Sequence, residues 1–213
     1  MKSLPERTIE RLSEYRRTLF RCLDEGKAHI FSHELASMHN ITAVQVRRDI
    51  MFIGYASHGR KGYDIKELIG VIAGIMDPAD ILNLAVVGYG HLGKAISSYL
   101  VNKRPKLRIV AAFDIDPKKI GSTSSLVECF SVERLREIIS SRNISLALLT
   151  VPADAAQQMI KALASSGIRG VLNFTTVNLS VPGDIYLEEY DMVTSLEKVA
   201  YFVKIAQRFS ALS

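Results

Sequence analysis

No run of apolar residues in this 213-residue sequence reaches the roughly 18 to 20 that a membrane span needs. Its opening MKSLPERTIERL also lacks the apolar stretch of a secretory leader, so the expectation is a cytoplasmic protein with no membrane partner. Cysteine is scarce. Cys22 and Cys129 stand far apart in unlike surroundings without CxxC spacing, which argues against a disulfide framework and a thiolate metal site. The five histidines include one i, i+4 pair, His29 and His33, but Gly26 and Ser32 signal a helix break around it, and no metal is expected. Strong charge of one sign is missing too: the net charge is +5, and residues 1–80 carry 12 basic against 11 acidic side chains while the remainder carries 15 against 11. The modest basic excess permits an anionic partner without pointing to either half of the chain. There is no internal repeat, and no His–Asp or Ser–Lys pair falls at strand ends where hydride transfer would need an acid or base.

What is present begins with AVVGYGHLG, residues 85–93, which places glycines at 88, 90 and 93 directly after an apolar run. Gly88 suits a sharp turn, Gly90 a close backbone approach to a pyrophosphate, and Gly93 tight packing of the next helix, whose N-terminus (His91, Leu92) forms an anion site. The next apolar run ends at Asp114, 21 residues beyond Gly93, where an acid would meet the adenosine ribose and favour NAD over NADP. Asp114 and Asp116, just ahead of Pro117, also fit a plain turn. From Ile81 onward strand and helix patterns alternate: ILNLAVVG, KAISSYLVN, LRIVAAFDI, VERLREIISS, ISLALLTVP, ADAAQQMIKALASSG, IRGVLNF. That alternation predicts an α/β doubly wound parallel sheet over residues 81–194, with Thr150, Val151, Pro152 and Asn173 at the carboxyl edge where such sheets bind ligands.

Ahead of this sheet, residues 1–80 read as a winged helix-turn-helix domain. A first helix covers 5–25 and stops at Gly26; a second begins at Ser32 as N-cap; His39-Asn40 is the turn; and Thr42, with Gln45 three residues on, caps a third. In the third helix Val46, Ile50 and Ile53 share one face while Gln45, Arg47 and Arg48 project elsewhere, the layout of a recognition helix or of an ordinary solvated face. Gly59-Arg60-Lys61-Gly62 would tip a basic hairpin wing ending at Tyr63. A fourth helix spans Asp64 to Met76 with Leu68, Ile69, Ile72 and Ile75 inward. At the other end, Thr194 and Glu197 form a capping box opening a last helix, residues 195–213, whose Leu196, Val199, Val203 and Ala206 share a face widened by Phe202 and Phe209. Such a helix docks on its own domain or on a second subunit. The nucleotide pattern leaves no room for a substrate domain, so a regulator that reads a cofactor fits better than an enzyme that uses one. An NAD(P)-dependent oxidoreductase with a helical extension, or a CoA-binding module, is the alternative.

Over its whole length the sequence resembles the Rex redox-sensing transcriptional repressors, through ITAVQVRRDI, GYGHLG, FDIDP, LLTVP, GVLNF and the capped terminal helix. The resemblance implies a homodimer with exchanged terminal helices that binds double-stranded operator DNA without cofactor or with NAD and releases it when NADH binds. It implies DNA contacts by Thr42, Gln45, Arg47, Arg48, Arg60, Lys61 and Tyr63. It implies cofactor contacts by Gly88, Gly90, His91, Leu92, Gly93, Asp114, Thr150, Val151, Pro152 and Asn173, and a switch set of Arg17, Tyr99 and Asp191. His91 stands where the family usually has arginine, GRKGY where RGxGY is expected, Met192 where an aromatic residue is usual, and Thr176 where proline is common.

Overall fold

The computed structural model describes residues 4–57, 61–101, 105–121 and 127–210, and the side chains of these except at 209 and 210. The chain forms two compact units, Met1–Ala79 and Asp80–Ser213.

The first unit runs α1 (Glu6–Asp24), β1 (His29–Ile30), α2 (Ser32–Met38), α3 (Ala43–Phe52), β2 (Tyr63–Asp64) and α4 (Ile65–Met76). Pro5 precedes the first turn of α1, and Gly26, at φ +83°, ends it in the left-handed region that glycine enters without cost. The turn between α2 and α3 reverses through Asn40 at φ +53°, a conformation asparagine tolerates better than most residues. Leu12, Tyr15, Leu19, Ile30, Leu35, Val46, Ile50, Ile65, Leu68 and Ile72 are buried together, so the apolar stripes of all four helices meet in one core. Ile53 closes the α3 stripe as expected, while Ile69 and Ile75 of α4 are only partly buried.

Three expectations change here. Ser32 is the first helical residue of α2 rather than its cap; Phe31 holds the cap position, and its backbone N–H donates to the Glu34 carboxylate at 2.7 Å. Thr42 does cap α3, its hydroxyl accepting from the Gln45 N–H at 3.1 Å, but the Gln45 side chain turns to Asp49 instead of completing the box. The two-stranded sheet pairs β2 with β1, His29 opposite Asp64 and Ile30 opposite Tyr63, so among the described residues the strand after the expected wing has its partner ahead of α2. Gly62, at φ +81°, permits this pairing: a Cβ there would lie 2.6 Å from the Ile30 carbonyl oxygen. Arg60 and Gly59, at the expected wing tip, lie outside the described residues.

The second unit contains β3 (Leu82–Val87), α5 (His91–Leu100), β4 (Leu107–Asp114), β5 (Cys129–Ser131), α6 (Leu135–Ser141), β6 (Ile144–Leu149), α7 (Ala153–Ser165), β7 (Gly170–Asn173), β8 (Tyr186–Glu189) and α8 (Met192–Ser210). Its six strands lie in the order β5-β4-β3-β6-β7-β8, and every pairing is parallel. Successive residues of β3 feed opposite faces: Ala85 and Val87 pack with Phe113, Leu149, Ile160 and Leu163, whereas Leu84 and Val86 pack with Ala112, Leu148 and Tyr89. Both faces are therefore covered, as the continuous apolar strands required. The chain reverses its direction of winding between β3 and β6, which places a crevice at their carboxyl ends.

β5 and β8 were not among the expected strands. They have three and four residues, and YLEE in β8 is mostly exposed, so neither leaves an apolar run. The last helix also begins earlier than the Thr194 box implies. Asp191 caps it, Oδ1 accepting from Val193 N–H at 2.8 Å and Thr194 N–H at 3.0 Å, and Thr194 lies inside the first turn.

Candidate functional site

The crevice is built first by glycine. At Gly88, φ is +90° and a Cβ would come within 2.6 Å of the Thr150 carbonyl oxygen; at Gly93 a Cβ would run into the Gly88 carbonyl and lie 3.0 Å from Thr150 Oγ1. The loop between β3 and α5 thus lies directly on the end of β6. The Thr150 hydroxyl fastens it by donating to the Gly88 carbonyl at 2.7 Å. Gly90 is different: nothing lies within 4 Å of where its Cβ would be, and it faces the crevice. Its lack of a side chain keeps space open for a ligand rather than for the protein. The first N–H groups of α5, at His91, Leu92 and Gly93, have no acceptor within the helix, and such a terminus favours an anion in that space.

The resulting cleft holds about 500 Å3 and is lined by Gly88, Gly90, Asp114, Ile115, Asp116, Lys119, Val132, Thr150, Val151, Pro152, Ala155 and Met159. That volume lies in the range of small-molecule and cofactor sites, which bind through mostly apolar walls with a few placed polar groups. Asp114 supplies one. It is buried at the tip of β4, with Oδ1 accepting from Asp116 N–H at 3.0 Å and Oδ2 from Lys119 Nζ at 2.9 Å. Burial alone would push its carboxyl up, but these hydrogen bonds outweigh burial and hold it below the usual carboxylate range. Asp114 and Lys119 together give this end of the cleft a hydrogen-bonding pair suited to ribose hydroxyls.

Six of the expected cofactor residues, Gly88, Gly90, Asp114, Thr150, Val151 and Pro152, line this one cleft. His91, Leu92 and Gly93 open the adjoining helix. Asn173 is buried and is not among the residues lining this cleft: its Nδ2 donates to the Val177 carbonyl at 3.0 Å and its Oδ1 accepts from Thr175, so the side chain orders its own loop. Lys119, Ile115, Val132, Ala155 and Met159 were not anticipated. Only Lys119 left a signal, as a base five residues after a strand-ending acid.

In the first unit, α3 presents Thr42, Val44, Arg47, Arg48 and Met51 to solvent. Arg47 Nη1 donates to the Ser32 hydroxyl at 3.0 Å, which ties the guanidinium to the start of α2, and Arg48 is exposed. Lys61 is exposed; Tyr63 is buried against Tyr55, a packing residue rather than an open contact. Under α3 lies a group the sequence did not flag as a site. Asp49, fully buried, receives Arg11 Nε at 2.6 Å, Arg11 Nη2 at 2.7 Å, the Tyr15 hydroxyl at 2.9 Å and Gln45 Nε2 at 2.9 Å. Its signal was an acid three residues after Val46, on the inward face. Of the expected switch set, Arg17 is exposed on α1, Tyr99 on α5, and Asp191 caps α8.

Among the described residues no three His, Cys, Asp or Glu side chains converge as a metal site, Cys22 and Cys129 are both buried and free, and no helix is long and apolar enough to cross a membrane.

Two family models match the two units: residues 3–50 match one described as a putative DNA-binding protein N-terminus, and residues 80–177 one described as a CoA binding domain. The redox-sensing transcriptional repressor Rex of Lactobacillus acidophilus is 34% identical over 200 residues, covering 94% of this chain and 95% of that protein. The chain belongs to the Rex family. That family is one of transcriptional repressors rather than enzymes. Among solved Rex-family structures, RSP in complex with β-NAD+ and operator DNA matches with a TM-score of 0.89 at 30% identity, covering 100% of this chain and 98% of RSP. RSP in complex with β-NADH matches with a TM-score of 0.87 at 29% identity, covering 100% of both chains. The chain has a DNA-binding N-terminal unit followed by a parallel α/β unit.

Proposed function

We propose that this chain is a redox-sensing repressor that binds double-stranded operator DNA as a homodimer, takes NAD or NADH into the cleft beside Gly90, and releases the operator when NADH binds. The observation that carries the reading is the pairing, within one chain, of an exposed arginine-bearing α3 with a cleft whose glycine loop leaves room at Gly90 for a pyrophosphate. The dinucleotide would supply the redox signal. The residues of the chain bind and orient it: Gly88 and Gly93 fix the loop, the start of α5 faces the phosphates, and Asp114 with Lys119 meets the adenosine ribose. On the DNA side Arg47 and Arg48 face the major groove, with Thr42 and Gln45 at the leading end of α3 and Lys61 just ahead of β2. RSP, of the same family, has been solved with NADH and with NAD+ plus operator DNA, which supports this assignment of both ligands.

Dimerisation is inferred from α8. Leu196, Val199 and Phe202 are each at least 60% exposed, more apolar surface than an unpartnered helix keeps in water. Arg17 and Tyr99, both exposed, and Asp191, the cap of α8, are the polar groups assigned to the switch between the two states of the dimer. The cellular setting that follows is the compartment that holds the DNA.

The test is a titration of an operator selected from randomised duplexes, carried out without cofactor, with NAD, with NADH and with CoA. Weakening by NADH, little change with NAD and none with CoA is expected. Equal operator affinity in all arms, with NADH binding confirmed separately, would refute redox sensing; a response to CoA alone would favour the CoA-binding reading suggested by the family model over residues 80–177.

A further inference from the structure

Gln45 is the third residue of α3, at the end of a recognition helix that ordinarily reaches base edges. Its amide is not free to turn. Nε2 donates to Asp49 Oδ1 at 2.9 Å, one helical turn on. Asp49 is also gripped by Arg11 Nε and Nη2, at 2.6 and 2.7 Å, and by the Tyr15 hydroxyl at 2.9 Å. A carboxylate held this way by a guanidinium is ionised and only accepts, so the nitrogen end of the Gln45 amide must face it. An unrestrained glutamine can offer either end of its amide to a base; this one keeps its carbonyl away from Asp49. Among the described residues Oε1 has no hydrogen-bond partner, and one N–H of Nε2 is also left over.

We infer that Gln45 reads adenine in the major groove and that Asp49 is the positioning residue that imposes this choice by fixing the amide. The inference rests on the DNA-binding reading of α3 above. One acceptor beside one donor matches adenine, whose N6 amino group donates and whose N7 accepts. Guanine shows only acceptors, O6 and N7, and would bring O6 against Oε1. Rotating the amide to welcome guanine would turn Oε1 onto Asp49, two acceptors face to face over a buried charge. Thr42, capping the Gln45 N–H at 3.1 Å, fixes the backbone from which this side chain starts.

The test enriches randomised duplexes on the full-length protein and on three variants, with folding of each variant followed by thermal unfolding. The wild-type protein should prefer adenine over guanine at one position of each half-site by roughly 5- to 150-fold, the worth of one bidentate pair. Gln45→Ala should level that position and leave the others as they were. Gln45→Lys, which only donates, should move the preference there to guanine. Asp49→Asn, which can donate to Oε1 and so allow the amide to turn, should reduce the adenine preference while Gln45 itself is intact; should that variant fail to fold, the lysine variant still tests the reading of adenine by Gln45. A profile unchanged by Gln45→Ala overturns the inference while leaving operator binding established. A folded Asp49→Asn protein with the full adenine preference overturns the role of Asp49. Failure of the wild-type protein to enrich any sequence overturns both the inference and the DNA-binding reading beneath it.

Discussion

Two glycines of one loop should respond in opposite ways to the same added methyl group. In a solvent-facing helix Gly→Ala adds about 1 kcal/mol of stability through helix propensity. At Gly93, in the first turn of α5, the new Cβ would run into the Gly88 carbonyl and lie 3.0 Å from Thr150 Oγ1 and 3.1 Å from Val86 Cγ1. Two of these three neighbours are backbone and strand core and cannot rotate away, so α5 must move off the sheet. Overpacking of this kind costs about 1 to 3 kcal/mol, and for a chain of this size each kcal/mol lowers Tm by about 2 to 4 °C. Gly93→Ala should therefore lose roughly 2 to 12 °C and weaken NADH binding as the loop distorts. Gly90→Ala meets no protein atom within 4 Å and has an ordinary φ of −80°, so its Tm should match or slightly exceed that of the wild-type chain. Its methyl group instead occupies the space proposed for the pyrophosphate, and NADH affinity should fall as steeply as for Gly93→Ala. Thermal unfolding without ligand and fluorescence titration with NADH separate the two effects. Wild-type stability in Gly93→Ala would refute the packing argument, and undiminished NADH binding by Gly90→Ala would refute the placement of the phosphates.

Arg47→Ala and Arg48→Ala should each weaken operator binding, and a residue that contacts a phosphate should also lower the dependence of log affinity on log salt by about 0.9; titrations at several salt concentrations separate a base contact from a phosphate contact. Burial would raise the Asp49 carboxyl, but hydrogen bonds from Arg11, Tyr15 and Gln45 outweigh it and set it below its unfolded value. Its contribution to stability is thus complete above the ordinary carboxylate range near pH 4 and is lost as pH falls through the depressed folded value, so urea midpoints of Asp49→Asn should lack that part of the wild-type acid slope. Leu196→Asp with Phe202→Asp, both positions being at least 60% exposed, should leave the monomer folded and abolish the dimer in sedimentation; an unchanged sedimentation coefficient would contradict the assignment of α8.

The central features were legible because they follow from local rules. Glycine spacing at 88, 90 and 93 states a backbone requirement, and positions 88 and 93 are now explained by a Cβ that could not fit. Thr42 announced the start of α3, and the runs in β3, β4 and β6 announced strands buried on both faces. What escaped depends on partners distant in sequence. β8 is a strand only because β7 lies beside it, since YLEE has little apolar pattern of its own. Asp49 reads as one more helix acid until Arg11, 38 residues earlier, is seen closing on it. Asn173 stood at the right strand end for a ligand contact, yet nearby Thr175 and Val177 supply partners that satisfy it inside its own loop. At the last helix the sequence showed the Thr194 box and not the cap that forms, Asp191, whose carboxylate reaches the N–H groups of both Val193 and Thr194.

The proposed placement of the cofactor would also divide the work of sensing from the work of binding. NAD and NADH share the same adenosine and pyrophosphate, so the groups proposed for that end, Gly88, Gly90, Gly93, Asp114 and Lys119, meet identical atoms in both. They supply affinity and no discrimination. A ligand shifts a two-state equilibrium only by its difference in affinity for the two states, so on this reading the response to NADH arises where the nicotinamide differs and not at these residues. Gly90→Ala and Asp114→Asn should accordingly weaken NAD and NADH by one common factor, leaving their affinity ratio as in the wild-type chain, while the operator response at saturating NADH persists. Because coupling between sites is reciprocal, operator DNA must weaken NADH in these variants by the same factor as in the wild-type protein. Paired titrations of both cofactors, with and without operator, measure all four affinities. A changed NAD-to-NADH ratio in Gly90→Ala would mean that the phosphate loop itself takes part in the switch, and the proposed division of the cleft would fail.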